Sequence, residues 1–167
     1  GLMRVIFEDS QNRFWVGTHN EGLLLWDRDT GTYKQYKYDP KDKTGIGAIA
    51  VTAINEDAKG HLWIGTWGGG LNLFNPETET FTHYFKNHGL PSNVISGIVP
   101  DNAGNLWLST KNGLSFFNVE EGTFKNFDED DGLHSSEFWT DAYTVNNRGY
   151  MYFGGATGIT EVIPGNI

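Results

Sequence analysis

A six-residue motif returns at near-constant spacing, and that period constrains the fold more than any other feature of the chain. Arg13-Phe14-Trp15-Val16-Gly17-Thr18 recurs as His61-Leu62-Trp63-Ile64-Gly65-Thr66 and again as Asn105-Leu106-Trp107-Leu108-Ser109-Thr110. A weaker fourth copy is Tyr150-Met151-Tyr152-Phe153-Gly154-Gly155. The central aromatic moves from Trp15 to Trp63, Trp107 and Tyr152 in steps of 48, 44 and 45 residues. Self-similarity at such a period marks stacked supersecondary units. The longer first step has a local cause: Asp39-Pro40-Lys41-Asp42-Lys43 reads as a polar loop insertion.

Other positions keep the register. An acid or amide precedes each aromatic by six residues: Asp9, Asp57, Asp101 and Asn146. A glycine and an aliphatic residue follow it: Gly22-Leu23, Gly70-Leu71, Gly113-Leu114 and Gly158-Ile159. Aromatic pairs three residues apart come next in the first three copies: Tyr33 and Tyr36, Phe81 and Tyr84, Phe124 and Phe127. Each copy therefore predicts four short strands, in copy two near residues 51–55, 62–66, 71–75 and 80–85. Asp57 and Gly60 suit the first turn, since Asp bonds its own backbone and Gly accepts positive φ. A four-stranded antiparallel unit cannot cover both of its faces alone, and radial stacking solves this. The expected fold is all-β: β-propeller blades in one partial propeller spanning residues 1–167, with repeats near 2–38, 50–85, 94–127 and 139–164. The last repeat is incomplete, lacking an outer strand.

Composition agrees and excludes some functions. Aromatics at 14% and 22 glycines favour short strands joined by tight turns. With no cysteine, neither disulfides nor a cysteine metal cluster is possible. A net charge of −9 argues against a nucleic-acid partner, which would call for a basic face. No apolar run approaches the roughly 18 residues needed to cross a membrane, and no signal peptide opens the chain. Any anchor or export signal of a parent protein is expected outside these residues.

The repeat resembles the two-component regulator propeller family. Glu56-Asp57-Ala58-Lys59-Gly60-His61-Leu62-Trp63-Ile64-Gly65-Thr66, followed by Gly69-Gly70-Leu71, carries its pattern, and Gly89-Leu90-Pro91-Ser92-Asn93 its link to the next blade. Asp131-Gly132-Leu133, Glu137-Phe138, Tyr152-Phe153-Gly154-Gly155, Gly158-Ile159-Thr160 and Pro164 resemble the closing blade, which makes this the C-terminal part of a larger propeller. Tyr152 and Asn146 depart from the pattern's Trp and Asp. The resemblance implies a periplasmic sensor region of a hybrid two-component receptor of the inner membrane, with a sensor histidine kinase as parent. It also implies further blades, a C-terminal β-sandwich, and oligosaccharide signals.

Catalytic chemistry is not expected in this chain. No phosphate-cradling Gly-x-x-x-x-Gly-Lys-Ser/Thr loop is present, and Gly68-Gly69-Gly70 lies between two strands, where it reads as a tight turn. His19, His61, His83, His88 and His134 form no zinc-hydrolase pattern. Asp128-Glu129-Asp130-Asp131-Gly132 fails the calcium-loop spacing, with Trp139 where a bidentate Glu is required. The carboxylates Glu8-Asp9 and Glu56-Asp57 recur in register, so they serve the blade rather than acid–base work. No metal or cofactor is expected.

Whatever binds should sit where the loops break the repeat. The loops after the second strand and those between blades share one face in a propeller. They carry the candidates Trp67, His19, Asn20, Lys111, Asn112 and Trp139, near Glu21, His88, Asn93 and His134. Rings beside amides and acids suit sugars, the ring stacking on a pyranose and the amides pairing with hydroxyls. Trp67 stands out because its counterparts His19, Lys111 and Ala156 differ. Two readings follow: a ligand-sensing face, or a spacer and dimerisation module with no site of its own. Family propellers have about seven blades, so an arc of four exposes blade faces and a strand edge, and self-association of the chain is expected.

Overall fold

The computed structural model describes residues 2–166. Blade 1 is built from β1 (Met3–Glu8), β2 (Phe14–Thr18), β3 (Leu23–Trp26) and β4 (Tyr33–Tyr36). Blade 2 has β5 (Val51–Glu56), β6 (Leu62–Thr66), β7 (Leu71–Asn75) and β8 (Thr80–Tyr84). Blade 3 has β9 (Ile95–Pro100), β10 (Leu106–Thr110), β11 (Gly113–Asn118) and β12 (Thr123–Phe127). Blade 4 has β13 (Phe138–Val145), β14 (Met151–Gly155) and β15 (Gly158–Val162). Each sheet is an antiparallel meander in chain order, four-stranded in the first three blades and three-stranded in the last. Helix among the described residues is limited to the 3-10 turns Lys86–His88 and Glu129–Asp131.

The repeated acid, an amide in blade 4, closes the first hairpin of every blade. One oxygen of Asp9 accepts the backbone N–H groups of Gln11 and Arg13, and Asp57 does the same for Lys59 and His61. Asp101 takes those of Ala103 and Asn105, and Asn146 those of Arg148 and Tyr150. In the first two blades the other oxygen accepts the indole N–H of the motif tryptophan, from Trp15 to Asp9 at 2.8 Å and from Trp63 to Asp57 at 2.9 Å. One side chain thus satisfies a turn and a buried donor together.

Blades pack face to face in chain order, β5 against β1 and β2, β9 against β5 and β6, β13 against β9. Three apolar clusters fill the interfaces, built around Trp15 and Phe74, Trp63 and Phe117, and Trp107 with Phe153. Each inner strand carries an irregular register near its start, leaving Arg4, Thr52 and Ser96 unpaired in the first three blades. Thr52 donates its hydroxyl to the Ile95 carbonyl, and Ser96 donates to that of Phe138 at 2.8 Å, stitching blade to blade. Bulges that re-aim a side chain in this way are built features of sheets.

The buried acids also set a pH dependence. Burial would raise the Asp57 carboxyl, but hydrogen bonds from the Trp63 indole and from His61 and Lys59 outweigh it, holding the group below its ordinary value. Asp9 is held low in the same balance, through Trp15 and Arg13. A depressed folded pKa means stability that is complete above the unfolded value, about pH 4, and lost as pH falls through the folded one. Urea unfolding between about pH 5 and pH 2 should therefore show a steeper loss for the native chain than for Asp57→Asn.

Candidate functional site

The position just past the second strand has the same backbone role in every blade. The N–H groups of His19, Trp67, Lys111 and Ala156 donate to Leu2, Ala50, Val94 and Glu137, all in the segment entering their own blade. The next glycines reach forward: Gly22 donates to Ile49, Gly70 to Asn93, and Gly113 to Ser136, each in the linker to the following blade. This lattice is fixed by backbone, so the side chains at these positions are free to differ.

Three of them meet. The Lys111 ammonium lies 4.4 Å from the centre of the Trp139 ring and 5.6 Å from that of Trp67. It also pairs with Glu137 at 3.1 Å. Both indoles remain about half exposed, Trp67 at 48% and Trp139 at 54%. A cation held between two rings is favourable because each ring face carries negative charge density, and the clamp fixes two large apolar planes on one surface. Blades 2, 3 and 4 each contribute one member.

Trp139 reaches this place through a sequence irregularity. In blades 2 and 3 a single residue bulges at the start of the inner strand, whereas in β13 the register breaks between Phe138 and Tyr143. Asp141, in the break, has a positive φ of 63°. Burial raises its carboxyl and the Arg4 charge pulls it back. The enlarged bulge turns Trp139 outward onto the face.

The remaining candidates stand apart from this cluster. Asn112 binds the Pro91 carbonyl through its amide at 3.4 Å and caps back to Thr110 through its backbone. His19 and Asn20 occupy the equivalent turn of blade 1, where the His19 N–H donates to the Leu2 carbonyl. Glu137, the partner of Lys111, is the member that motif reasoning did not select as a site residue. Its contact spans 26 residues and two blades, so nothing local in the sequence marks it. Among the described residues no group of three or more histidines and acids is placed to hold a metal ion, and no helix is long and apolar enough to cross a membrane.

Consecutive antiparallel meanders packed face to face, with inner strands in succession, define a β-propeller segment. Residues 2–20, 45–68 and 89–112 match the model of the two component regulator propeller, the repeat family whose pattern the sequence motif resembles. The matched segments end at His19-Asn20, Trp67-Gly68 and Lys111-Asn112, the face just described. Histidine kinase P4 of Formosa agariphila is 29% identical over 170 residues, which is 99% of this chain and 12% of that protein. Among solved structures, the extracellular domain of the hybrid two-component system BT4673 from B. thetaiotaomicron superposes with a TM-score of 0.82 at 22% identity, over 98% of this chain and 23% of that one. The corresponding domain of BT3049 from the same organism gives 0.63 at 23% identity, over 98% and 28%. The chain thus spans a small part of the proteins it resembles, and the structural likeness carries the fold.

Proposed function

We propose that this chain is a sensing segment of a two-component receptor, lying in the periplasm and binding an oligosaccharide on the face where Trp67, Lys111 and Trp139 gather. The gathering carries the reading: two half-exposed indoles offer stacking planes, and the Lys111–Glu137 pair offers hydrogen-bond partners for hydroxyls between them. The name of the Formosa relative and the extracellular origin of the solved neighbours support the receptor context. The remaining blades and a C-terminal β-sandwich of the parent are the partners this reading requires. The chain itself supplies recognition and no catalysis, and the kinase output belongs to other parts of the parent.

Calorimetric titration and thermal shift against plant, microbial and host oligosaccharides test the site. One glycan class should stabilise the folded chain, because a ligand that binds only the native state raises its stability. Trp67→Ala and Trp139→Ala should each weaken that binding by about tenfold, the equivalent of one lost stacking contact, with little change in unfolding temperature. Unchanged affinity in both variants would remove the face from the reading.

A second reading, a spacer or dimerisation module, is favoured by blade 1. Met3 and Ile6 are each 63% exposed, while the residues in the same register of blades 2 and 3, Val51, Ile54, Ile95 and Ile98, are buried. Under this reading copies of the chain associate through that face. Light scattering would then give a mass above that of one chain, falling to it in the Met3→Lys, Ile6→Lys double variant, with no glycan shifting the melting curve.

A further inference from the structure

The linkers that leave blades 2 and 3 open on the same short turn, but a different side chain closes each. Lys86–His88 follows β8, and Glu129–Asp131 follows β12. The backbones match: His88 donates to the Phe85 carbonyl and Gly89 to that of Lys86, as Asp131 does to Asp128 and Gly132 to Glu129. In both turns the third residue reaches back to the N–H just ahead of the turn. The Phe85 N–H donates to His88 Nδ1 at 2.9 Å, and the Asp128 N–H donates to Asp131 Oδ2 at 3.0 Å. The blade 3 turn has a second such bond, from the Asp130 N–H to Asp128 Oδ1. Phe85 offers no acceptor at that place, so the blade 2 turn relies on His88 for its internal side-chain bond.

An imidazole nitrogen that accepts a hydrogen bond carries no proton. The bond from Phe85 therefore fixes the His88 proton on Nε2, and a second ring proton would set two N–H groups against each other. A carboxylate accepts equally well across about pH 5 to 8, the range in which imidazoles change charge. The His88 ring lies 6.0 Å from that of Phe85 and 6.3 Å from that of Tyr84 in β8, and Lys86 shares its turn. His83 of β8, near Asp42, also stacks on Phe85. Its Nε2 donates to the Gly45 carbonyl at 2.7 Å, a bond that a charged ring keeps. Among the described residues no carboxylate pairs with His88 to favour its charged form.

The turn is tied to the candidate face. The Lys86 N–H donates to Asn93 Oδ1 at 2.8 Å, and the Asn93 carbonyl accepts from Gly68 at 3.1 Å and from Gly70 at 2.9 Å. Trp67 itself bridges to Val94. We propose that His88 makes this linker a pH-sensitive latch on the Trp67 loop. The neutral ring holds turn, Asn93 and loop together; its protonation frees the Phe85 N–H, slackens the linker and loosens Trp67 from its place beside Lys111. Release of the turn stands on these bonds alone, whereas weaker glycan binding in acid rests on the function proposed above.

Nuclear magnetic resonance of the whole chain between about pH 8 and about pH 5 tests the latch. At the upper limit the His88 ring nitrogens should show the Nε2–H tautomer. As the pH falls, the Phe85 amide proton should lose its hydrogen-bonded shift in step with His88 protonation. The Gly68 amide and the Trp67 indole should follow, while the Asp128 amide stays. Exchange at the Phe85 amide, corrected for pH, should quicken about fivefold, the equivalent of one ordinary hydrogen bond. Glycan affinity should fall by about the same factor, since the two are coupled through the linker. His88→Asp, which copies the blade 3 turn, should abolish both changes over this range. An Nδ1–H tautomer at the upper limit, or a Phe85 amide that ignores the His88 titration, would overturn the latch. A Phe85 step without movement at Gly68 and Trp67 would overturn its reach to the face. If no glycan binds at any pH, the glycan reading fails while the amide steps still decide the latch.

Discussion

Trp63→Ala is expected to lower the unfolding free energy by about 4 kcal/mol, in the range for deleting a large buried aromatic. Trp63 is nearly inaccessible and spans the interface of blades 2 and 3, with Phe117 at 5.4 Å and Tyr84 at 5.8 Å. Its removal does three things at once. It opens a cavity the size of an indole at the centre of the arc. It takes away the N–H that Asp57 accepts, leaving that buried oxygen with the His61 ring alone. It also loosens the contact that orders blade 3 on blade 2. Chemical denaturation measures the loss directly. Trp63→Phe helps to separate the terms, because it loses the donor while keeping most of the apolar volume.

Gly70→Ala should cost about 3 kcal/mol, combining the penalty of a left-handed backbone with a steric clash. Gly70 has a φ of 67°, and a methyl group there would stand 2.1 Å from the Tyr84 carbonyl oxygen. Gly22 and Gly113 meet the carbonyls of Tyr36 and Phe127 at 2.3 Å in the same way. The obstacle is backbone at the end of the outer strand, so it cannot rotate aside. Gly31→Ala is the matched control: its φ is 70°, but nothing lies within 4 Å of the added methyl. That variant should lose about 1 kcal/mol, the conformational part alone. If the two variants are equally stable, the close approach is not what keeps glycine at this register.

These two residues show how far the repeat could be read before the structure. Trp63 was recognisable as interface packing because its counterparts recur in register, and the register glycine was recognisable as a turn. The reason for that glycine was not: the clashing carbonyl is 14 positions away, on a strand whose pairing is set by the meander. The same holds for Asp57, legible as a turn residue, while its second bond to the indole required knowing that residues six apart across a hairpin converge.

The face was partly legible. Radial stacking places the loops after the second strands on one side, which singled out Trp67, Lys111 and Trp139 together with His19, Asn20 and Asn112. Which of these touch was not readable, since it depends on the rotation between neighbouring blades and on side-chain reach. The rotation brings blades 2, 3 and 4 into one cluster and leaves His19 and Asn20 on blade 1. The enlarged bulge that aims Trp139 outward is likewise a property of pairing.

The sequence by itself determined the class of fold, the blade count and the turn chemistry, because these follow from period, alternation and residue types acting over a few positions. The tertiary structure alone decided that Lys111 stands between two indoles with Glu137 as its counter-ion. It alone decided, too, that the turn closed by His88 is tied through Asn93 to the loop of Trp67. Both depend on contacts between blades, where residues dozens of positions apart are brought within a few ångströms by packing that no local pattern encodes.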